Sequence, residues 1–418
     1  MNISSSMRNY GACSFLLVFG AVAVWWSFFQ IWLTVPAGGL RLSGAQVGTV
    51  FSVNGLMLTA VIVFYGIMQD CLRFRRHLLF ISAVCTMLIG PFVTFVYRPL
   101  LEHCFLFGVL LGSVEIAAGF VGATALYEAY FARLAIKYGF EYGHARVGGS
   151  LGFALGTLAA GVLFTVRPLL IFWAGSFLGM CLLLTQIFWK TEPDPARNMH
   201  PGSRSPGVLR TLRSLRAEMA ASARDANFWA LTAFVVFGWT VYQVFESQMF
   251  PGFYVSLFSS HARGQIMFSA LIAVQTLIET SLMVPAAAII RRIGVKTSMV
   301  FSALVMTVPL LGSALGADPA TVAALKLFHG VFVPFALLSI VKYVSLHFSA
   351  ALSSTIYLTG FYVAYFLATA LFSGPLGYLR DICGYRITFA LMAAVILADV
   401  LFSVKILKKD GTGAAAGK

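Results

Sequence analysis

Runs of about twenty apolar residues recur along the whole chain, and they restrict its possible folds more than any other feature. A helical run of this length crosses the hydrocarbon core of a bilayer. Inside lipid every backbone N–H and C=O group needs a partner within the protein, so only helices and closed barrels can cross. The runs lack the alternation of barrel strands, which repeat in segments of about ten residues. Since 59% of the residues are hydrophobic and only 11% are charged, the chain is predicted to be an all-α membrane protein.

Twelve apolar runs can be placed, and each predicts one transmembrane helix. They cover residues 10–34, 44–69, 77–98, 103–130, 145–165, 168–189, 228–255, 263–290, 297–316, 319–346, 351–378 and 386–408. An even number of crossings places both termini on the same side of the membrane. That side is decided by the lysines and arginines, because loops rich in these residues stay in the cytoplasm.

The distribution of the basic residues favours cytoplasmic termini. With the N-terminus in the cytoplasm, 21 lysines and arginines face the cytoplasm and 6 face the other side. The remaining two, Arg146 and Lys326, fall inside predicted helices. The net charge of +14 is therefore explained by membrane topology, and no nucleic-acid partner is predicted.

Residues 190–227 form the one long polar segment, and they carry four prolines and seven basic residues. We predict that this segment is a cytoplasmic linker between two six-helix bundles, residues 1–189 and residues 228–418. Each half has a basic turn after its second helix, at residues 73–76 and 291–296. Equivalent turns indicate a duplicated bundle with pseudo-two-fold symmetry, an architecture of transporters that alternate around a midplane site.

Glu128 and Arg146 are the first pair of charges inside the predicted helices. A charge at the centre of a membrane helix costs about 2.5–3.5 kcal/mol on insertion scales, so each one needs a reason. The two residues lie on consecutive antiparallel helices and can meet. A guanidinium beside a carboxylate donates and accepts hydrogen bonds, which suits the vicinal hydroxyls of a sugar. A purely structural ion pair explains the two residues equally well.

Glu246 and Lys326 form a second candidate pair, on the seventh and tenth helices, either as a structural salt bridge or with a direct role. His329 follows Lys326 by one turn and faces the same side. It could accept a sugar hydroxyl or relay a proton, or it could simply pack. Glu279 is the lone carboxylate of the eighth helix, and the residues alone suggest no partner for it.

Three further residues inside the helices have weaker interpretations. Phe153 lies two turns after Arg146, where its ring could stack on the apolar face of a pyranose or belong to the core. Asp399 is expected near the cytoplasmic end of the last helix, anchored close to Lys405. Glu115 has no explanation from the sequence.

The sequence offers no constellation for catalysis. The six cysteines are scattered without metal-binding spacing, and they are expected to be small apolar core residues. No phosphate-binding loop, zinc motif or nucleophile elbow is present. We predict that the protein is not an enzyme and holds neither metal nor cofactor, a proton being the one coupling ion considered.

Several segments of the chain resemble the oligosaccharide–proton symporters of the major facilitator superfamily, the group of the lactose and sucrose permeases. The resemblance extends from about residue 25 to residue 405 and is strongest in residues 127–130 (YEAY), 140–146 (FEYGHAR), 242–248 (YQVFESQ), 326–329 (KLFH) and 354–358 (STIYL). Residues 25–28 (WWSF) look closest to the sucrose branch. The resemblance implies the twelve-helix fold of that superfamily and a functional monomer in the lipid bilayer.

The resemblance also implies roles for individual residues. Glu128 and Arg146 would bind the sugar, and Phe153 would stack on it. The second half of the chain would line the same site with Tyr242, Glu279 and His329. An interhelical pair would be formed by Glu246 and Lys326.

One departure from the family pattern concerns the proton. The family's coupling Glu should follow His329 by three residues, where this chain has Phe332. The Arg that assists proton release should stand at Pro309. A phenylalanine cannot carry a proton, so coupling would have to use another carboxylate, Glu279 or Glu246.

The leading hypothesis is therefore a transporter that takes up a disaccharide or another small oligosaccharide together with protons by alternating access. A facilitator or exchanger without proton coupling is the main alternative. A membrane sugar sensor is a second alternative, for which the linker offers no folded output domain. Charge alone leaves other small cargo, such as a nucleoside, open.

Overall fold

The computed structural model describes residues 3–72, 77–189, 219, 222–316 and 318–410. All regular secondary structure within these ranges is helical, because the apolar runs must satisfy their backbone hydrogen bonds internally. Eleven helices of the described residues are long and apolar enough to cross a membrane. The predicted all-α class is confirmed.

Six of these helices precede residue 190. They are α1 (Ile3–Thr34), α2 (Gly44–Leu72), α3 (His77–His103), α4 (Phe105–Tyr138), α5 (Tyr142–Val166) and α6 (Leu170–Phe188). Two of them contain a widened, π-helical turn, at Val93–Tyr97 in α3 and at Ala117–Val121 in α4. Their order agrees with the first six predicted crossings.

Five further helices follow. They are α7 (Ala226–Ser256), α8 (His261–Ile293), α9 (Val295–Leu315), α10 (Pro319–His347) and α11 (Thr355–Ile406). The last helix has 52 residues, and such a helix would be about 78 Å long if straight. A non-helical residue, Gly384 with φ 75°, divides it into two arms that correspond to the last two predicted crossings. The described helices therefore contain all twelve predicted crossings.

The chain forms two compact units. The first comprises Met1–Arg41 and Leu56–Arg213, and the second comprises Leu42–Gly55 and Ser214–Lys418. Helix α2 is thus shared, since its first turns belong to the second unit. Most of the predicted linker, 190–218, lies outside the described residues, as does the predicted basic turn 73–76. The boundaries 1–189, 190–227 and 228–418 stay predictions.

An N-terminal cap ties the start of α2 to the second unit. The carboxylate of Asp381 accepts hydrogen bonds from the backbone N–H groups of Gly44 and Ala45, both at 2.8 Å. These donors have no partner within the helix, so a carboxylate at this position stabilises its first turn. Arg380 Nη2 lies 2.9 Å from the same carboxylate.

A stripe of glycines lets α5 approach α1 closely in the first unit. A Cβ atom built on Gly148 would lie 2.3 Å from the carbonyl oxygen of Ala12, and one on Gly152 would lie 2.2 Å from that of Leu16. Both distances are far below van der Waals contact, so only glycine fits at this separation. The contact fixes α5, the helix that carries Arg146, against α1.

Helix α7 is irregular where it carries its functional candidates. Two π-helical stretches, Phe234–Thr240 and Phe245–Met249, flank a single α-helical turn at Val241–Val244. A π-helical turn shifts the direction of the side chains that follow it, and such turns are frequent at functional sites. Tyr242 lies within the α-helical turn, and Glu246 lies within the second π-helical stretch.

Candidate functional site

The second unit contains a buried polar cluster built by α7, α8 and α10. Lys326 Nζ lies 2.6 Å from Glu246 Oε2 and donates a hydrogen bond to Gln275 Oε1 at 2.7 Å. Gln275 Nε2 in turn donates to Glu246 Oε1 at 3.4 Å. The predicted ion pair between Glu246 and Lys326 is present, with an amide bridging both of its members.

His329 extends this cluster towards α7. Its Nδ1 lies 3.3 Å from Glu246 Oε2 and 3.0 Å from the hydroxyl oxygen of Tyr242. One carboxylate therefore faces both an ammonium group and an imidazole. The Tyr242 hydroxyl can both donate and accept a hydrogen bond. It can therefore exchange its bond within the protein for one to a ligand, and no buried group is left unpaired.

The burial of the cluster explains why its partners matter. The Lys326 side chain is 0% exposed and that of Glu246 is 15% exposed. Each charge lost its hydration on folding, so the pair stabilises the fold only while both members and the bridging amide are present. The ring of Phe250, 4.8 Å from Lys326 Nζ, adds a cation–π contact.

The first unit contains the other predicted pair. Arg146 Nε donates a hydrogen bond to Glu128 Oε1 at 2.9 Å, and the two side chains are 33% and 38% exposed. The guanidinium carbon lies 4.2 Å from the ring centre of Phe19, which holds the planar group from one side. The pair is thus fixed in position and still accessible to a ligand.

Gly149 provides the space for this guanidinium. A Cβ atom at Gly149 would lie 2.5 Å from Arg146 Nη1, so a larger residue would displace the fork. The glycines of α5 therefore serve both the packing of the helix and the placement of its arginine. A guanidinium and a carboxylate within reach of the same ligand can donate to and accept from neighbouring hydroxyl groups.

The remaining predicted sugar-binding residues lie on the same helices. Phe153 is half-buried on α5, two turns after Arg146, and Glu279 is half-buried on α8, one turn after Gln275. Their roles stay predictions, as do those of the paired residues. No group of three metal-binding side chains was found among the described residues.

The positions that depart from the family pattern lie in the core. Phe332 is 0% exposed, and its ring centre lies 4.6 Å from that of Tyr242, 5.1 Å from that of His329 and 6.4 Å from that of Trp239. Pro309 is buried inside α9. Aromatic side chains therefore pack together at the position where the family pattern predicts a carboxylate.

Two features of the site were not predicted from the sequence. Gln275 attracted no notice because a neutral amide in an apolar helix carries no charge signal. The expectation that Asp399 is anchored near Lys405 was wrong, because the Asp399 side chain is buried at 4% exposure and both its oxygens lack a hydrogen-bond partner in the described part of the chain.

Comparison with known proteins adds the family context. A family described as LacY proton/sugar symporter matches residues 4–415. A sucrose permease of Escherichia coli is 33% identical over 94% of this chain and 92% of its own length. A lactose permease of Klebsiella oxytoca is 32% identical, again over 94% of this chain and 92% of its own length.

Solved structures with low sequence identity share the fold. A structure of a mutant of the nucleoside transporter NupG has a TM-score of 0.80 at 15% identity and covers 96% of this chain and 100% of its own. A D-xylose–proton symporter has a TM-score of 0.68 at 16% identity, covering 97% and 98%. These similarities confirm the predicted twelve-helix transporter fold.

Proposed function

Because this chain belongs to the LacY proton/sugar symporter family, we propose that it carries a small oligosaccharide across a bacterial inner membrane by alternating access. Like its relatives, it is a transporter and not an enzyme. A sucrose permease and a lactose permease match almost its whole length, which supports a disaccharide as the cargo. The segment WWSF at residues 25–28, which looks closest to the sucrose branch, favours a sucrose-like sugar.

The observation that carries the proposal is the accessible pair of Arg146 and Glu128. The guanidinium and the carboxylate are held 2.9 Å apart and both are partly exposed. A disaccharide presents adjacent hydroxyls that accept from the one group and donate to the other. The ring of Phe153 would stack on the apolar face of the sugar.

In the second unit we assign sugar binding to Tyr242, His329 and Glu279. Tyr242 and His329 already share a hydrogen bond of 3.0 Å, which a sugar hydroxyl could replace without loss. Glu246 and Lys326 keep this group in position through their ion pair. A single charged group removed from such a buried network strands its partner.

The orientation of the chain in the membrane and its oligomeric state are also part of the proposal. The strong excess of basic residues on one side of the predicted membrane favours cytoplasmic termini, and the family resemblance favours a functional monomer. Cysteine accessibility labelling of residues in 190–218 tests the orientation, since labelling from outside intact cells would contradict it.

Uptake of radiolabelled sugars by proteoliposomes tests the function. Purified protein preloaded with unlabelled sugar should exchange it for labelled sugar of the same kind, and the panel should include sucrose, lactose, raffinose and a nucleoside. Exchange of a disaccharide, lost in Arg146→Lys, supports the proposal. Exchange of the nucleoside alone would show that the cargo has been assigned wrongly.

A further inference from the structure

A buried carboxylic acid, Asp399, lies in the second arm of α11 and is not explained by the cluster around Glu246. Only 4% of its surface is exposed. Neither Oδ1 nor Oδ2 has a hydrogen-bond partner among the residues that the structure describes. The side chain lines a partly open cavity of about 300 Å³ whose other lining residues are Ala233, Phe237, Val395, Ala398 and Phe402. Phe237, Val395 and Phe402 are exposed on the surface of the protein.

The ionised form of such a group is unfavourable. A carboxylate that leaves water without gaining a donor or a counter-charge loses far more free energy than a neutral acid does. The charged residues on the neighbouring stretches of chain are Glu246 on α7, Lys296 on α9, and Arg380, Asp381, Arg386 and Lys405 on α11 itself. No described residue, these and the α7 tyrosines Tyr242 and Tyr254 included, donates to Asp399, so its environment favours the neutral, protonated acid.

The surroundings select a proton over a metal ion. A hard cation such as Na⁺ or Ca²⁺ requires several oxygen ligands, about six to eight for Ca²⁺. The other lining residues of this cavity are apolar, and no metal-binding group of three side chains occurs in the described ranges. A single carboxyl group is sufficient for a proton, which needs no further ligand.

Asp399 is also in contact with the helix that forms the sugar-binding cluster. A Cβ atom at Gly238 would lie 2.8 Å from Asp399 Oδ2, so the carboxyl group lies directly against α7. Gly238 belongs to the π-helical stretch Phe234–Thr240. The next residue, Trp239, contacts Phe332, with ring centres 6.4 Å apart.

This stretch of α7 therefore lies between Asp399 and the position where the family pattern has its coupling carboxylate. From this placement we propose that Asp399 is the proton-binding site of the transport cycle. A proton taken up on one side of the membrane adds to the carboxylate oxygen and neutralises it, and the acid releases that proton on the other side later in the transport cycle. The proposal rests on the proposed sugar transport and adds the identity of the coupling group.

Two measurements on the purified full-length protein in proteoliposomes test it. Sugar counterflow, which needs no proton movement, reports whether the carrier works. Uphill accumulation under an imposed pH gradient reports coupling. Asp399→Asn mimics the neutral acid in size and hydrogen-bonding capacity, so we expect it to keep counterflow and to lose accumulation completely. Asp399→Glu retains a titratable group beside the cavity, and we expect it to keep part of the accumulation.

Glu115→Gln is the matched control, because Glu115 is a second carboxylate within a membrane helix, on α4 of the other unit, with Oε1 buried and unpartnered. This variant should accumulate sugar as the parent protein does. Infrared difference spectra between acid and alkaline pH should show a carboxyl C=O band that disappears in Asp399→Asn, whether or not the variant transports.

The outcomes separate the two proposals. Normal accumulation by Asp399→Asn, or a parent protein that exchanges sugar and never accumulates it, overturns the assignment of Asp399 and leaves sugar transport standing. Absence of counterflow for every sugar in the parent protein contradicts the proposed function itself. Loss of accumulation in Glu115→Gln, with Asp399→Asn unaffected, would move the proton site to α4 and reject Asp399.

Discussion

The ring of Phe332 packs edge-on against the ring of Tyr242, with their centres 4.6 Å apart. At the position where the family resemblance implies a proton-carrying carboxylate, Phe332 makes a structural contact to a residue of the polar cluster. Tyr242 holds His329, and His329 contacts Glu246. The aromatic contact therefore helps to position the same hydrogen bonds that we assign to sugar binding.

Removing this ring should destabilise the protein. Phe332→Ala leaves a cavity in a fully buried position, and a Phe-to-Ala change in a core costs about 3–5 kcal/mol. Thermal unfolding of the detergent-solubilised protein measures the loss. Phe328→Ala is the control, because Phe328 lies one turn earlier on α10 and is 41% exposed. Equal losses in the two variants would contradict the structural role of Phe332.

The substitution Arg146→Lys should abolish sugar binding although it keeps the charge. A lysine has no planar fork, so it cannot bond Glu128 and a sugar hydroxyl in fixed directions. Each hydrogen bond to a charged group contributes about 1.5–3 kcal/mol, which is roughly tenfold or more in affinity. The dependence of counterflow on sugar concentration gives the affinity. Arg167→Lys, at the exposed end of the same helix, should leave it unchanged, and near-parental affinity in Arg146→Lys would disprove the assigned role.

The two single substitutions that neutralise the ion pair of the second unit should destabilise the protein to different extents. Lys326→Ala leaves Glu246 with His329 at 3.3 Å, whereas Glu246→Ala leaves Lys326 with two uncharged neighbours, the oxygen of Gln275 and the ring of Phe250. A stranded buried charge costs about 3–5 kcal/mol. We therefore expect Glu246→Ala to lower the unfolding temperature more than Lys326→Ala does.

The double variant Glu246→Ala, Lys326→Ala provides the decisive comparison. It removes both charges, so it should be more stable than Glu246→Ala alone. Unfolding temperatures of the parent protein and the three variants in one detergent measure this coupling. If the double variant is no more stable than either single variant, the two charges do not stabilise each other.

Much of the site was predictable because charge inside a membrane is so costly. That cost drew attention to the charged residues inside the helices. Their positions then suggested the pairs Glu128–Arg146 and Glu246–Lys326, which the structure contains. The twelve crossings followed from apolar runs whose length matches a bilayer.

The unpredicted features depend on geometry that a residue pattern does not contain. Gln275 is neutral, so only the direction of its side chain shows that it bridges Lys326 and Glu246. Asp399 is buried against Gly238, which belongs to a π-helical stretch of α7. A sequence period assumes a regular helix, and α7 is not regular.

The glycine contact between α1 and α5 gives a further prediction. In Gly152→Ala the new methyl group would lie 2.2 Å from the carbonyl oxygen of Leu16, so the helices must move apart. Overpacking of this kind costs typically about 1–3 kcal/mol. Because Arg146 is on α5 and Phe19 is on α1, the same movement should also weaken sugar binding.

Gly143→Ala is the matched control on the same helix, because a Cβ atom there meets no other atom within 4 Å. In a helix, replacing glycine by alanine at such a position is favourable by roughly 0.5–1 kcal/mol, since the unfolded chain loses conformational freedom. Gly143→Ala should therefore unfold at the parental temperature or above it, whereas Gly152→Ala should unfold below it and bind sugar more weakly. Unfolding temperatures and counterflow affinities of the two variants test both statements. If Gly152→Ala retains parental stability, α1 and α5 do not require the close contact, and the guanidinium of Arg146 must be positioned by its other neighbours.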